Sequence, residues 1–220
     1  METLFGEQIE KPAPDKLYRG NMRLTSPPEY DYYATHPDAT QWLMRQYRDT
    51  FFKDTTGVWE PACGEGHLAR VLTEYGLDVF NSDIVDRGWA GQNETRNFYN
   101  YTTMPEGTNT IITNPPYKGA LAFVRHAYNL LPTGGRMAML LKIQWMESAS
   151  RYPFFAECPP SIVAVFVSRV HCARNGNFER YSQNMQAYAW WLWEKDHHGP
   201  TLLEWIDNRL PLNQPQLDLP

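Results

Sequence analysis

Short apolar segments alternate with amphipathic ones along most of this 220-residue chain, and this alternation constrains its fold more than any other feature. The apolar segments predict strands at residues 57–60, 78–81, 110–113, 136–142, 161–168 and 186–193. The amphipathic segments predict helices at residues 37–48, 66–75, 121–131 and 147–157. Strands that alternate with helices form a mainly parallel sheet covered on both faces, so we expect a doubly wound α/β fold. Because only a loop separates the last two predicted strands, we expect them to close the sheet as an antiparallel hairpin.

The predicted elements form one domain, residues 31–208, between two less regular ends. Residues 1–30 are polar and rich in proline, which predicts an extended or partly disordered N-terminal arm, and residues 209–220 form a C-terminal tail. Hydrophobic residues make up 42% of the chain, which is ample for a buried core. No apolar run approaches the ~18 residues of a membrane span. With no secretion signal in the sequence either, we expect a cytoplasmic protein.

A glycine-rich turn follows the first of these strands and opens the next helix. In the segment Trp59-Glu60-Pro61-Ala62-Cys63-Gly64-Glu65-Gly66-His67-Leu68-Ala69, two glycines let the backbone turn sharply and approach a ligand closely. Ligands of open α/β sheets bind at the carboxyl ends of strands, where this turn lies. Asp83 follows the next strand, where its carboxylate can accept hydrogen bonds from ribose hydroxyls. Dinucleotide-binding enzymes share both features, so the turn alone leaves the cofactor open.

The tetrapeptide Asn114-Pro115-Pro116-Tyr117 follows the strand at residues 110–113 and indicates the chemistry. Its two prolines fix the loop and remove two backbone donors. The side-chain oxygen of Asn114 and the carbonyl of Pro115 can then accept both N–H bonds of a planar amine, which directs the nitrogen lone pair toward a methyl donor. Tyr117 can stack on the planar substrate. This pattern predicts methylation of an amide-like or exocyclic amine nitrogen.

Taken together, these residues resemble the amino-methyltransferase branch of class I S-adenosylmethionine-dependent methyltransferases. The glycine turn resembles the family's first motif, Asp83 its ribose-binding acid and the segment 114–117 its catalytic motif. In motif order and compactness, residues 30 to about 195 are similar to small DNA adenine-N6 methyltransferases of phage or prophage type. The resemblance implies a Rossmann-like methyltransferase fold with a mostly parallel seven-stranded sheet, an antiparallel last strand and helices on both faces.

The resemblance also implies S-adenosyl-L-methionine as the cofactor, together with a set of site residues. The segment Asp31-Tyr32-Tyr33-Ala34-Thr35-His36-Pro37 resembles the one that contacts the cofactor's methionine part, although His36 intrudes before the proline. Asn97-Phe98 stands where an Asp-Phe pair often contacts the cofactor adenine. The predicted catalytic residues are Asn114, Pro115, Pro116 and Tyr117. The predicted cofactor-binding residues are Tyr33, Thr35, Glu60, Pro61, Ala62, Cys63, Gly64, Gly66, Asp83, Ile84, Asn97, Phe98 and Asn114.

Substrate recognition has only short candidate segments, because no long insertion separates the motifs. They are the arm before residue 30, residues 86–106 and the loop 171–184, whose basic and aromatic residues suit phosphate contact and stacking. A polar hairpin loop without that role fits the last segment equally well. The target base of a duplex must be flipped out, and His171, Phe178 or Tyr181 could then pack against it opposite Tyr117. The predicted substrate-binding residues are Tyr117, Lys118, Arg169, His171, Arg174, Phe178, Arg180 and Tyr181.

DNA is the favoured partner, but several alternatives stay open. The net charge of −5 counts mildly against a nucleic acid, since phosphate contacts need Lys and Arg. Protein glutamine-N5, RNA guanine-N2 and cytosine-N4 methylation all present the same planar amine, and a non-catalytic cofactor-binding module is a further possibility. A cytosine-C5 enzyme is disfavoured because its cysteine usually follows a proline, whereas Cys158 precedes one. The three cysteines lack metal-ligand spacing, so we expect no metal, and the sequence leaves the oligomeric state open.

Overall fold

The computed structural model describes residues 32–174, 178, 186–209, 211 and 212. Its strands are β1 Tyr33–Thr35, β2 Val58–Glu60, β3 Val79–Asp83, β4 Glu94–Thr95, β5 Thr110–Thr113, β6 Arg136–Lys142, β7 Ile162–Phe166, β8 Cys172–Arg174, β9 Tyr188–Glu194 and β10 Leu202–Ile206. Its helices are α1 Pro37–Tyr47, α2 His67–Glu74, α3 Ala120–Leu130 and α4 Tyr152–Glu157. The predicted arm at residues 1–30 and most of the predicted tail lie outside the described residues.

Eight of the strands form one sheet in the order β10-β7-β9-β6-β5-β2-β3-β4. Every neighbouring pair is parallel except that β9 runs antiparallel to both β6 and β7. The remaining two strands, β1 and β8, pair antiparallel with each other. The predicted mostly parallel sheet with an antiparallel strand is confirmed, and the strand partners place that strand between β6 and β7.

The predicted strand number and the predicted last strand were wrong. The sheet has eight strands rather than seven, because β4 and β10, which no predicted strand segment covers, lie at its two edges, with β10 parallel to β7. The antiparallel strand β9 is therefore not the last one. In the segment 202–206 apolar side chains do not alternate cleanly with polar ones, so the period-two pattern of a half-buried strand is missing. Leu202, Leu203 and Trp205 are all exposed at this edge.

The core has two halves, one on each face of the sheet. Along β6, Ala138 and Leu140 pack with α1 and α2, while Met137, Met139 and Leu141 pack with α3 and α4. This division follows from the strand geometry, in which successive side chains point to opposite faces. The predicted coverage of both faces by helices is thereby confirmed.

Helix boundaries follow local capping chemistry. Helix α1 begins with Pro37 in its first turn, and the imidazole of the N-cap residue His36 accepts a hydrogen bond from the Asp38 backbone N–H at 3.3 Å. The helix predicted at residues 147–157 is shorter than expected and spans only Tyr152–Glu157. Pro153 explains this, since proline lacks an N–H and is tolerated only in the first turn of a helix.

Candidate active site

The loops that follow the parallel strands meet at one edge of the sheet, where open α/β folds bind ligands. The glycine turn follows β2, Asp83 ends β3, the segment 114–117 follows β5 and Lys142 ends β6. Strand β9 begins at this edge because it runs the other way, with Tyr188 paired to Lys142. The topology therefore brings the predicted glycine turn, acid and tetrapeptide to the same edge.

The glycine turn is built on two residues with left-handed backbone. Gly64 has φ 53° and Gly66, the N-cap of α2, has φ 76°. The Gly64 N–H donates to Asp83 Oδ2 at 2.8 Å, and the Val85 N–H donates to Oδ1 at 3.0 Å. Asp83 is only 7% exposed, but each carboxylate oxygen keeps a further lone pair for a ligand.

Aromatic side chains lie directly on both glycines. A Cβ on Gly64 would stand 2.2 Å from Cε2 of Tyr32, and one on Gly66 would stand 2.4 Å from Cε2 of Trp89. The Glu65 N–H donates to the Tyr32 hydroxyl at 3.3 Å, and the Arg87 guanidinium lies 4.5 Å from the Tyr32 ring centre. The glycines are therefore required by packing as well as by backbone conformation.

Glu60 places a buried carboxyl group beneath the turn. It is 2% exposed, and its Oε2 atom has no hydrogen-bond partner. Burial raises the pKa of Glu60 well above its usual value, and the nearby charge of Asp83 raises the pKa further, while a hydrogen bond from the Ala69 backbone opposes the shift. The turn thus holds an unsatisfied polar atom next to Asp83.

Asn114 presents one free acceptor atom. Its Nδ2 donates to the Tyr33 carbonyl at 3.1 Å and lies 3.9 Å from the sulfur of Cys172. Because a carbonyl oxygen can only accept, this bond fixes which end of the amide is nitrogen. The other end, Oδ1, is buried and has no hydrogen-bond partner. This is the free oxygen on which the sequence argument depends.

Tyr117 is held in place on several sides. Its hydroxyl lies 2.7 Å from the hydroxyl of Tyr188, and its ring centre lies 5.0 Å from that of Tyr33. The ammonium nitrogen of Lys142 lies 5.1 Å from the centre of the ring. Burial raises the pKa of Tyr117 well above its usual value, with smaller contributions from Cys172 and Tyr188. The ring is therefore a fixed, neutral surface beside Asn114.

The predicted cofactor-binding residue Ile84 is exposed, whereas the predicted adenine contact Phe98 is buried. Ile84, directly after Asp83, is 45% exposed. Phe98 is only 4% exposed, and its ring stacks on that of Phe123 at 4.2 Å. The Asn97 side chain accepts a hydrogen bond from the Tyr99 N–H at 3.0 Å and so caps a short 3-10 turn. Ile84 thus offers the apolar surface at this point of the sheet edge.

The predicted substrate-binding residues are dispersed. The ring of Phe178 contacts His36 at 5.0 Å and His67 at 5.4 Å, at the starts of α1 and α2, and its described ring contacts do not include Tyr117. The Nδ1 atom of His171 is buried and has no partner. Lys118 and Arg169 are exposed. The backbone of Arg174 ends β8, but its side chain, Arg180 and Tyr181 lie outside the described residues.

Three contact residues were missed by reasoning from the sequence, namely Lys142, Cys172 and Tyr188. Lys142 and Tyr188 had a usable signal, since Lys142 ends the predicted strand 136–142 and Tyr188 lies in the predicted strand 186–193. Cys172 reaches Asn114 only because β8 pairs with β1, in the register Thr35 with Cys172. That long-range pairing has no local sequence signature.

The described residues contain no group of three or more His, Cys, Asp or Glu side chains arranged to hold a metal ion. Over the same part of the chain, no helix combines the length and apolar character needed to cross a membrane.

Comparison with known proteins finds similarity in structure only. No protein-family model matches the sequence, and no curated protein matches it. A protein from Listeria monocytogenes, provisionally assigned as a class I S-adenosylmethionine-dependent methyltransferase, is 13% identical with a TM-score of 0.56, and the match covers 82% of this chain and 67% of that one. The type IIG restriction endonuclease BpuSI is 13% identical with a TM-score of 0.54, over 77% of this chain and 26% of that one. The M protein of the type I restriction enzyme EcoKI is 15% identical with a TM-score of 0.51, and the match covers 76% of this chain and 44% of that one.

These matches confirm the predicted Rossmann-like methyltransferase fold. The chain spans between a quarter and two thirds of the length of these three structures.

Proposed function

We propose that this chain is an S-adenosylmethionine-dependent methyltransferase that acts on an exocyclic amine, with N6 of adenine in DNA as its target. The observation that carries the proposal is the buried, unpartnered Oδ1 of Asn114, fixed by the hydrogen bond from its own Nδ2 to the Tyr33 carbonyl. Leaving a buried acceptor unsatisfied costs about 1–3 kcal/mol, so a substrate donor that reaches it is bound favourably.

The residues at the carboxyl edge of β2 and β3 fit S-adenosylmethionine. The free lone pairs of Asp83 suit ribose hydroxyls, the exposed side chain of Ile84 suits an adenine ring, and the unsatisfied Oε2 of Glu60 lies beneath the same turn. Gly64 and Gly66 give the turn its left-handed backbone, which brings the Gly64 N–H onto Asp83. The cofactor would supply an electrophilic methyl group at this edge.

The amine would be held by Asn114 and Pro115. Asn114 Oδ1 and the Pro115 carbonyl would accept hydrogen bonds from the two N–H groups of the amine. This orientation points the nitrogen lone pair at the methyl donor. No strong base is needed, because the methylated nitrogen is acidic and releases its extra proton to water. In other enzymes the loss of one such preorganised hydrogen bond lowers the rate by about 10²–10³-fold. The ring of Tyr117 offers a stacking surface for the base, worth ~1–3 kcal/mol.

DNA is supported as the substrate by two of the structural matches, which are components of restriction systems. This chain covers 26% of the BpuSI chain and 44% of the EcoKI M protein. Because no long insertion separates the motifs in the sequence, we propose relaxed sequence specificity, or specificity supplied by a partner. The adenine-N6 target rests on the resemblance of the motifs.

The test is methyl transfer from radiolabelled S-adenosylmethionine to unmodified DNA, RNA and total protein in parallel. We expect label in DNA, and a loss of at least about 10²-fold in Asn114→Ala. Asn208→Ala removes an amide from the exposed turn after β10 and is the matched control, which should keep full activity. A urea unfolding midpoint close to that of the parent shows that Asn114→Ala is folded. Label only in RNA or protein would replace the substrate, and tight cofactor binding without any transfer would favour a binding module.

A further inference from the structure

Lys142 is a cation at the candidate site that the mechanism above does not use. It is the last residue of β6 and is half-buried, and its ammonium nitrogen lies 5.1 Å from the centre of the Tyr117 ring. Its strand partner is Tyr188, whose hydroxyl meets that of Tyr117 at 2.7 Å. The Lys142 ammonium therefore lies against the ring of Tyr117, in the same loop as Asn114 and Pro115.

Among the described residues, no carboxylate forms an ion pair with Lys142. In the part of the chain that the structure describes, the ion pairs of Asp and Glu involve Arg96, Arg125, Arg136, Arg209, His36 and His67. No carboxylate oxygen of the described Asp and Glu residues lies within 4.0 Å of the Lys142 ammonium nitrogen. The aromatic contact supplies only about 0.5–2 kcal/mol, and a partly desolvated ammonium gains more from an anion.

The two unsatisfied groups at this edge have opposite character. Asn114 offers a free acceptor for an N–H donor, and Lys142 offers a positive charge that no described carboxylate pairs with. Both lie at the Tyr117 loop, since Lys142 contacts the ring and Asn114 is three residues before it. A nucleotide carries a planar amine, a flat ring and an anionic phosphate in one unit. A glutamine side chain carries the amine alone.

We propose that Lys142 binds a backbone phosphate next to the target base, so that the substrate of this site is a nucleic acid rather than a protein glutamine. The proposal rests on the proposed function and deepens it by assigning a phosphate contact at the same site. Lys142 adds a phosphate contact where an overall charge of −5 offers little general attraction. Phosphate contacts position the nucleic acid and carry no base information, which agrees with relaxed specificity.

Lys195 provides a matched control. Its ammonium also lies over a tyrosine ring, 4.2 Å from the centre of Tyr128, and donates to the Tyr128 carbonyl at 2.9 Å. It follows the end of β9, next to the start of β6, and so belongs to the opposite edge of the sheet. Lys195→Gln removes the same charge from the same kind of aromatic contact without touching the candidate site.

The experiment measures binding of a short DNA duplex and of its single strands as a function of salt, for the full chain in the presence of cofactor. Each phosphate contact contributes about 0.9 to the slope of log affinity against log salt for a duplex and about 0.7 for a single strand. We expect Lys142→Gln to bind more weakly at low salt and to lower the slope by about 1. Lys142→Arg, which keeps the charge, and Lys195→Gln should both keep the slope of the parent.

The outcomes separate this inference from the proposed function. If the parent methylates DNA but Lys142→Gln keeps its salt slope, Lys142 does not bind phosphate and only this inference fails. If the same charge loss lowers the slope equally in Lys195→Gln, the effect is general electrostatics and the inference also fails. If the parent transfers label to a glutamine-containing protein and binds neither the DNA duplex nor its single strands, both the DNA assignment and the role of Lys142 are wrong.

Discussion

Replacing Gly64 by alanine should displace the Tyr32 ring and lower the free energy of unfolding. An alanine Cβ at this position would stand 2.2 Å from Tyr32 Cε2, whereas ordinary contacts begin near 3.4 Å, so the ring must move by more than an ångström. Gly64 also has φ 53°, and left-handed backbone costs a residue with a Cβ roughly 1–2 kcal/mol. Overpacking of this kind adds about 1–3 kcal/mol. Gly64→Ala should therefore lower the free energy of unfolding by about 2–5 kcal/mol.

Gly107→Ala separates the two contributions. Gly107 has φ 79°, and a Cβ built on it meets nothing within 4 Å, so only the backbone cost of about 1–2 kcal/mol applies. Urea unfolding should give this smaller value for Gly107→Ala. In a Tyr32→Ala background, Gly64→Ala should fall to the same value. Equal costs for the two glycine variants, or a Gly64→Ala cost unchanged by Tyr32→Ala, would refute the packing of Tyr32 on the turn.

Further predictions concern buried polar groups. Tyr117→Phe and Tyr188→Phe should each lower the free energy of unfolding by about 0.5–1.5 kcal/mol, and the double variant by less than their sum, because both single changes break the same bond between two hydroxyls. Additive losses in urea titrations would contradict that bond. The raised pKa of Glu60 means that the native state binds more protons than the unfolded state, so its contribution makes stability fall as pH rises above the unfolded pKa. Glu60→Gln should flatten that fall in urea titrations at several pH values, and an unchanged slope would argue against a buried, protonated carboxyl. A thiol reagent at mildly alkaline pH should label no cysteine rapidly until denaturant is added, because burial raises the pKa of the three thiols Cys63, Cys158 and Cys172; rapid labelling of the native protein would contradict their burial.

The sequence predicts the central part of the fold well because that part obeys local periodicity. Strand β6 spans Arg136–Lys142 as its apolar run predicts, and β5 ends where the tetrapeptide begins. Strand β10 was missed because an edge strand with exposed leucines lacks that periodicity. The short α4 reflects Pro153, whose meaning depends on which helical turn it occupies.

The candidate site also combines segments that the local sequence predicts with contacts that depend on long-range strand pairing. The glycine turn and the segment 114–117 are contiguous in sequence, so their place at the sheet edge follows from the strand before each of them. The contacts of Asn114 with Tyr33 and Cys172, and of Tyr117 with Tyr188, depend on the β1–β8 and β6–β9 registers. These registers join residues that are far apart in the chain, 137 positions for Thr35 with Cys172 and 46 positions for Lys142 with Tyr188, and no local pattern encodes them.

The most direct measurement of the central claim is the identity of the methylated nucleoside. DNA free of methylated bases is incubated with the protein and S-adenosylmethionine, digested to nucleosides and separated with mass detection. We predict N6-methyldeoxyadenosine, formed by the parent and lost in a folded Asn114→Ala variant. Methylated DNA formed equally by Asn114→Ala, or a methyl group on a ring carbon instead of an exocyclic amine, would contradict it.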